Sequence, residues 1–126
     1  MSKKMVSFIF VVCAEPYKYE AMDTVINLGE AIIKKGHTVL GIFLYGSGVF
    51  NVKNREITSD SVRNIADRLS KFTQKQDIKL AACSTWISLT GIQSNEFIEG
   101  ACQEGLGGLS DLISQSDRVI FFGPGG

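Results

Sequence analysis

Four short apolar runs, separated by stretches with helical periodicity, constrain the fold of this chain more than any other feature. The runs do not alternate with polar residues, which is typical of parallel strands that are covered on both faces. They span 7–13, 38–44, 78–82 and 119–122. Strands that alternate with helices favour a three-layer α/β fold, in which helices lie on both faces of a mostly parallel β-sheet.

Helices are predicted between these strands from apolar residues that recur with a period near 3.6. The first runs over 19–35 and ends at Gly36, a residue that commonly follows the last turn of a helix. The helix before the third strand has Thr58 or Ser59 as its candidate N-cap. The later helices are expected over 59–75, 94–103 and 109–114.

The length and the charge balance of the chain limit which classes of protein it can belong to. A chain of 126 residues suits a single domain, here 1–126, with its own core. Its 13 basic and 13 acidic residues cancel, so the net charge gives no basis for direct nucleic-acid binding. No apolar stretch reaches the ~20 residues that span a bilayer, so we expect no membrane partner. The run after Lys4 resembles a signal peptide, but its Val, Ile and Phe content favours a buried strand.

The cysteine and histidine content argues against a metal site. The chain has three cysteines, Cys13, Cys83 and Cys102, and a single histidine, His37. Because they are widely spaced and form no Cys-x-x-Cys or Cys/His cluster, we expect neither a bound metal nor a disulfide framework. Free cysteines are typical of the reducing cytoplasm, which is the expected location. His37 falls in a turn, and we assign it no functional role.

Cys83 lies where the third predicted strand meets a following helix or turn. A helix start presents unpaired backbone N–H groups and a partial positive charge, and both favour a thiolate over a thiol. Ser84 and Thr85 supply hydroxyls that could cap this helix or donate to the sulfur. Trp86 could screen the thiol from water or pack in the core. The alternative is that Cys83 is a small buried hydrophobic residue.

Two other segments carry weaker functional signals. Gly46-Ser47-Gly48 follows the second strand without a helix directly behind it, so the dinucleotide-binding fingerprint is incomplete. This loop is expected at the carboxyl edge of the sheet beside Cys83, where it is a candidate pocket wall. Cys102 lies near the end of the helix predicted over 94–103. It is a candidate second redox residue, although the sequence favours a structural role.

Three segments, taken in order, resemble the DsrE/TusD family of sulfur-relay proteins, and the resemblance covers nearly the full chain. The segment 28–37 is similar to the family's helix that ends in Lys/Glu-Gly-His. The segment 43–51 is similar to an aromatic-rich strand followed by a Tyr-x-x-Gly-Val-x-Asn loop. The segment 105–122 is similar to a Gly-Leu-Gly-x-Leu turn, a helix and an Asp-Arg-Val-Ile strand. Cys83 stands at the position of the family's sulfur-carrying cysteine.

The resemblance implies a DsrE-like domain of flavodoxin-like topology that carries sulfane sulfur as a persulfide on Cys83. Such a cytoplasmic sulfurtransferase exchanges sulfur with a persulfide donor and a DsrC/TusE-like acceptor, in tRNA thiolation or in sulfur oxidation. Relatives form homo- or hetero-oligomers, so a trimer or hexamer is expected. The transfer is thiol–disulfide exchange in form and needs no cofactor. The residues expected to line the pocket are Tyr17, Tyr45, Gly46, Gly48, Asn51, Ser84 and Thr85.

The sequence departs from the family pattern after Cys83. Relatives often have small residues and Arg-Arg-Gly there, whereas this chain has Trp86 and no arginine before Gly91. Glu15 also stands where relatives have the glycine of a Gly-Pro-Tyr loop. Two alternatives therefore stay open. The chain could be a non-catalytic subunit of such an oligomer, or a flavodoxin-like module that binds a small ligand through its Gly-rich loops.

Overall fold

One five-stranded parallel sheet organises the chain in a computed structural model, which describes residues 4–55 and 63–123. The strand order is β4-β3-β2-β1-β5. Helices lie between the strands in sequence, so the predicted α/β fold with a parallel sheet is confirmed. The elements are β1 (Ser7–Val12), α1 (Ala21–Lys34), β2 (Thr38–Leu44), a 3₁₀ helix (Gly46–Val52), α2 (Ile65–Lys75), β3 (Lys79–Cys83), α3 (Ser84–Thr90), a second 3₁₀ helix (Ser94–Glu96), β4 (Ala101–Glu104), α4 (Leu106–Gln115) and β5 (Arg118–Phe122).

Helices cover the sheet on both faces, which is why the central strands are apolar throughout. On one face, Gly29 of α1 brings the backbone close to the rings of Phe10 and Phe72, and a Cβ there would lie 2.7 Å from Phe72. On the other face, Leu112 of α4 packs over Gly41 of β2, where a Cβ would lie 3.3 Å from its methyl group. Alternation along each strand therefore assigns every second residue to the α4 face.

A buried carboxylate joins α1 to α2. Asp23, with a side chain that is 12% exposed, accepts from Arg63 at 2.7 Å and from Arg68 at 3.1 Å. The side chain of Asn64 caps α2 by accepting from the backbone N–H of Asp67. The helix predicted over 59–75 therefore begins later than expected, at Ile65, and its cap is Asn64; positions 58 and 59 themselves lie outside the described residues.

The helix predicted over 94–103 is wrong. The segment begins with a three-residue 3₁₀ helix, turns at Gly100 with φ of +90° and continues as the edge strand β4. The apolar residues did have helical spacing, and Ile98 is buried as expected. Its backbone N–H, however, donates to the carbonyl of Val52, which ties the segment to the end of the first 3₁₀ helix instead. Cys102 is consequently a strand residue and does not lie near a helix end.

Smaller differences concern element ends. The helix expected over 109–114 begins three residues earlier, at Leu106, because Gly107 and Gly108 are helical despite their low propensity. The Gly-rich loop after β2 winds into a 3₁₀ helix. His37 has a local structural contact, since its Nδ1 accepts from the backbone N–H of Val6 at 3.0 Å.

Candidate functional site

The carboxyl ends of four neighbouring strands place one residue each at the same level. The register makes the last residues of β1 and β2 level with Ala82, one residue before the end of β3, and Cys83 pairs with Glu104 of β4. The hydrogen bonds between β1 and β2 continue one residue past the ends of both strands, because the backbone N–H of Tyr45 donates to the carbonyl of Val12 at 3.0 Å. Cys13 and Tyr45 are therefore level with each other. We call the resulting set the terminal row; it consists of Cys13, Tyr45, Cys83 and Glu104.

The terminal row faces α4, and its spacing excludes a disulfide between its two cysteines. Cys83 is two residues from Ala81 and four from Lys79, which is level with Gly41 under α4. Adjacent strands lie about 4.8 Å apart, so the Cα atoms of Cys13 and Cys83 are roughly 10 Å apart. A disulfide requires Cα atoms within about 7 Å. The two thiols are therefore separate groups with Tyr45 between them.

Two helix starts lie side by side at Cys83. Cys83 is the N-cap of α3 and has extended backbone angles, φ −62° and ψ 119°. On the neighbouring strand, Gly105 is the N-cap of α4. A Cβ at Gly105 would lie 3.8 Å from the Ser84 hydroxyl, so the first turns of both helices are adjacent. Their unpaired N–H groups give this corner of the sheet a partial positive charge.

Cys83 is buried in the isolated chain. Its exposed fraction is 1%, and it belongs to the hydrophobic core. Of the two hydroxyl residues that follow it, Ser84 is half-buried and Thr85 is exposed. The helix-start position that we predicted is thus present, and so is the burial that the alternative interpretation required. A reagent or partner reaches this sulfur only if a neighbouring group moves.

An aromatic pair lies beside Cys83. The rings of Tyr45 and Trp86 meet edge to face, with centroids 5.9 Å apart and planes at 72°. Both side chains are half-buried and pack against the core. Since Trp86 lies in α3, which directly follows its N-cap Cys83, the pair links the terminal row to α3.

A cavity of about 250 Å³ opens on the other side of Tyr45. Burial raises the pKa of the Cys13 thiol, which is one of its walls, so the thiol form is favoured there. Two of the predicted pocket residues, Tyr45 and Gly46, line this cavity, whereas Cys83, Ser84 and Thr85 do not. The full lining is Cys13, Ala14, Glu15, Lys18, Tyr19, Tyr45, Gly46 and Ser47.

The other predicted pocket residues have different surroundings. Gly48 is buried against the end of β1, and Asn51 is 2% exposed and donates to the carbonyls of Ala14 and Gly48, both at 2.9 Å. Tyr17 lines a separate cavity, and its hydroxyl donates to the carbonyl of Arg63 at 2.5 Å. These contacts hold the loop after β1 in place.

Cys102 is an exposed residue of the edge strand, on the same face as Cys83. Two residues along a neighbouring strand place its Cα roughly 8 Å from that of Cys83, beyond disulfide range. Although the residue is exposed, partial burial of its thiol raises the pKa; nearby Lys79 lowers that pKa, and Glu104 raises it. Lys79 itself donates to Glu104 at 2.6 Å, and this hydrogen bond is the main cause of its raised pKa.

Neither a metal-binding cluster nor a membrane-spanning helix is found among the described residues. Across 4–55 and 63–123, no group of three or more His, Cys, Asp or Glu side chains is arranged to hold a metal ion. None of the helices described is both long enough and apolar enough to cross a membrane.

Comparison with known proteins identifies the family. The model of the DsrE/DsrF-like family matches residues 6–122, almost the whole described chain. The chain belongs to the DsrE/DsrF-like family. A curated relative from Vibrio parahaemolyticus serotype O3:K6, described as "Sulfurtransferase TusD homolog", is 24% identical over 127 residues. The match covers 92% of this chain and 97% of the relative.

Solved structures support the DsrE-like fold. The ychN protein from E. coli superposes with a TM-score of 0.80 at 22% identity, over 94% of this chain and 100% of that one. A protein of unknown function from Methanobacterium thermoautotrophicum, MTH1491, gives a TM-score of 0.71 at 16% identity, over 92% and 98% of the two chains. At these identities the similarity establishes the fold.

Sequence reasoning found Cys83 and Tyr45 but missed how they relate to Cys13. The available signal was the parallel sheet itself, because the residues directly after the first two strands lie at the same carboxyl edge. The strand that contains Cys102 gave no such signal, since its four residues carry neither a β-branched nor an aromatic side chain.

Proposed function

We propose that this DsrE/DsrF-like protein is a sulfurtransferase of a sulfur relay and that Cys83 carries the sulfur as a persulfide. The similarity to TusD homologues supports the relay role at the level of the family. The observation that carries the assignment to this residue is the position of Cys83. It ends β3, occupies the N-cap position of α3 and lies next to the start of α4.

The chemistry is thiol–disulfide exchange in form. The Cys83 thiolate attacks the outer sulfur of a donor persulfide, so that a new S–S bond forms as the donor's own S–S bond breaks. The donor leaves as a thiolate, and Cys83 holds one sulfane sulfur. An acceptor thiolate then attacks that outer sulfur and regenerates the Cys83 thiolate. Oxidation states balance in both steps, so no external oxidant or reductant is needed.

The partial positive charge at the two helix starts is suited to the Cys83 thiolate that this chemistry requires. Cys83 is negatively charged before attack and again after the sulfur has left. The N–H groups in the first turn of α3, together with those of α4 beside it, favour negative charge at this position. Neither step requires a general base. His37, whose Nδ1 accepts a backbone hydrogen bond, therefore has no role in either step.

The finer features of this proposal concern partners and setting. We propose a DsrC/TusE-like acceptor, a persulfide donor and an assembly of several subunits in the reducing cytoplasm. Free Cys13, Cys83 and Cys102 are consistent with such a compartment. Exposed apolar side chains could serve contacts between subunits; they include Leu89, Leu106, Ile113 and Phe121.

Intact-mass spectrometry tests the carrier role. The purified protein is incubated with a low-molecular-weight persulfide, and its mass is compared before and after reduction. We expect a reducible gain of one sulfur atom in the wild type, in Cys13→Ser and in Cys102→Ser, and no gain in Cys83→Ser. A gain that persists in Cys83→Ser, or no gain in any folded form, would overturn the proposal.

A second candidate function is that of a non-catalytic assembly subunit. The 1% exposure of Cys83 favours it, because a working carrier must present its sulfur. In that case Cys83→Ser would leave assembly and relay activity unchanged. The same mass experiment separates the two candidates, since a subunit without a working cysteine takes up no sulfur on Cys83.

A further inference from the structure

Tyr45 stands between Cys83 and an empty space large enough to receive its ring. We infer that Tyr45 is a movable cover of Cys83, and that its ring turns toward Cys13 before a reagent or partner can reach the Cys83 sulfur. This inference deepens the proposed function, because it names the residue that controls access to the carrier. It rests on three independent features of the described residues.

The first feature is the terminal row. Leu44 pairs with Ala82, so the residues that follow them, Tyr45 and Cys83, are level on adjacent strands and face the same side of the sheet. Side chains in such positions have Cβ atoms about 5 Å apart. The ring therefore adjoins the sulfur, and Cys83 is 1% exposed although it lies at the very end of its strand.

The second feature is the contact that keeps Tyr45 in place. Its ring meets that of Trp86 edge to face at 5.9 Å. This geometry is favourable, yet weak enough to be broken and remade by thermal motion. Both rings are half-buried, so solvent already reaches part of the pair. The covered state is then the resting state, and the uncovered one remains accessible.

The third feature is the cavity on the far side of the ring. It has a volume of about 250 Å³, and Tyr45, Cys13 and Gly46 are among its walls. In a tightly packed interior an aromatic ring can turn only if its neighbours shift, whereas a ring beside such a space can turn with little displacement of its neighbours. Gly46 has φ of +60°, and a Cβ added to it would have no heavy atom within 4 Å, so its surroundings are open too.

The test measures the rate at which a small alkylating reagent modifies Cys83 in a protein whose other thiols are removed. The reference is Cys13→Ser with Cys102→Ser. Adding Tyr45→Ala removes the cover, and we expect the second-order rate to rise roughly tenfold or more. Replacing Cys13 by Leu instead of Ser fills the cavity, and we expect the rate to fall about threefold or more.

Two matched variants separate a local cover from general loss of stability. Tyr45→Phe keeps the ring and should react at the reference rate. Val25→Ala creates a cavity under α1, on the opposite face of the sheet, and lowers stability without touching the terminal row. If every alkylation rate simply follows the measured free energy of unfolding, or if neither Tyr45→Ala nor Cys13→Leu changes the rate, the inference is wrong.

The alkylation experiment does not involve sulfur transfer. A protein that takes up no sulfur on Cys83 can still show opposite rate changes in Tyr45→Ala and Cys13→Leu. That result would support Tyr45 as a cover and contradict Cys83 as a sulfur carrier. Conversely, sulfur uptake on Cys83 with unchanged alkylation rates would support Cys83 as a sulfur carrier and contradict Tyr45 as a cover.

Discussion

Gly48 allows the 3₁₀ helix after β2 to approach the end of β1 more closely than any other residue would. A Cβ at this position would lie 1.9 Å from the carbonyl oxygen of Val12. Asn51, three residues on, then donates to the carbonyls of Gly48 and Ala14 and locks the 3₁₀ helix to the loop after β1. These two residues belong to the Tyr-x-x-Gly-Val-x-Asn pattern. In this fold they position Tyr45 and the loop after β1, both of which line the cavity beside Cys13.

Replacing Asn51 by Ala should destabilise the protein. The change removes the side-chain amide that donates to two buried carbonyls, and we expect the free energy of unfolding to fall by about 2 kcal/mol. Urea denaturation of the variant measures this loss. Asn95→Ala, at an exposed position in the second 3₁₀ helix, is the control and should change stability by less than about 0.5 kcal/mol. Equal stability of the two variants would show that the Asn51 contacts contribute nothing.

At the scale of elements, the turn before β5 is joined to the start of β1 by one carboxylate. Asp117 accepts from the backbone N–H of Ser7 at 2.9 Å and from its hydroxyl at 3.2 Å. These hydrogen bonds, the backbone one first, hold the pKa of Asp117 below its ordinary value, and the charges of Lys4 and Arg118 act in the same direction. The contact fixes β5, an edge strand, at the end of the sheet opposite the terminal row.

The lowered pKa of Asp117 predicts how stability depends on pH. A carboxyl whose folded pKa lies below its unfolded value stabilises the fold above the unfolded value, and loses that contribution as the pH falls through the folded value. Asp117→Asn should therefore be less stable than the wild type at pH 7. The difference should shrink once the pH falls below about 4.

Urea unfolding from neutral to acidic pH checks this expectation. Ser7→Ala is a useful companion variant, because it removes the hydroxyl donor and keeps the backbone N–H. Its pH dependence should lie between those of the wild type and Asp117→Asn. A difference between wild type and Asp117→Asn that stays constant down to the acid transition would contradict the assigned cause.

At the scale of the whole molecule, the sequence predicted the helices and strands whose residues are buried along most of their length. The central strands were found because both of their faces are covered, and β2 has the predicted bounds 38–44. The edge strand β4 was missed because it is short, half-exposed and preceded by apolar residues with helical spacing. Its pairing with β3 depends on long-range contacts, such as the one between Ile98 and Val52, that no local pattern encodes.

The site was predictable to the same extent. The junction of strand and helix at Cys83 is a local pattern, and the sequence located it. The burial of Cys83, the contact between Tyr45 and Trp86, and the cavity beside Cys13 depend on the register between strands. A shift of one residue in that register would turn Tyr45 to the opposite face of the sheet. Local sequence patterns do not determine such a register.

Locating the carried sulfur within the chain tests the role of Cys83. The protein is loaded with a persulfide donor, trapped with an alkylating reagent and cleaved after glutamate, since Glu96 and Glu99 lie between Cys83 and Cys102 and so separate them into different peptides. We predict that the extra sulfur appears between the alkyl group and the thiol of Cys83 and is absent from the peptides of Cys13 and Cys102. Sulfur on either of those residues, with an unmodified Cys83, would contradict the assignment of Cys83 as the carrier.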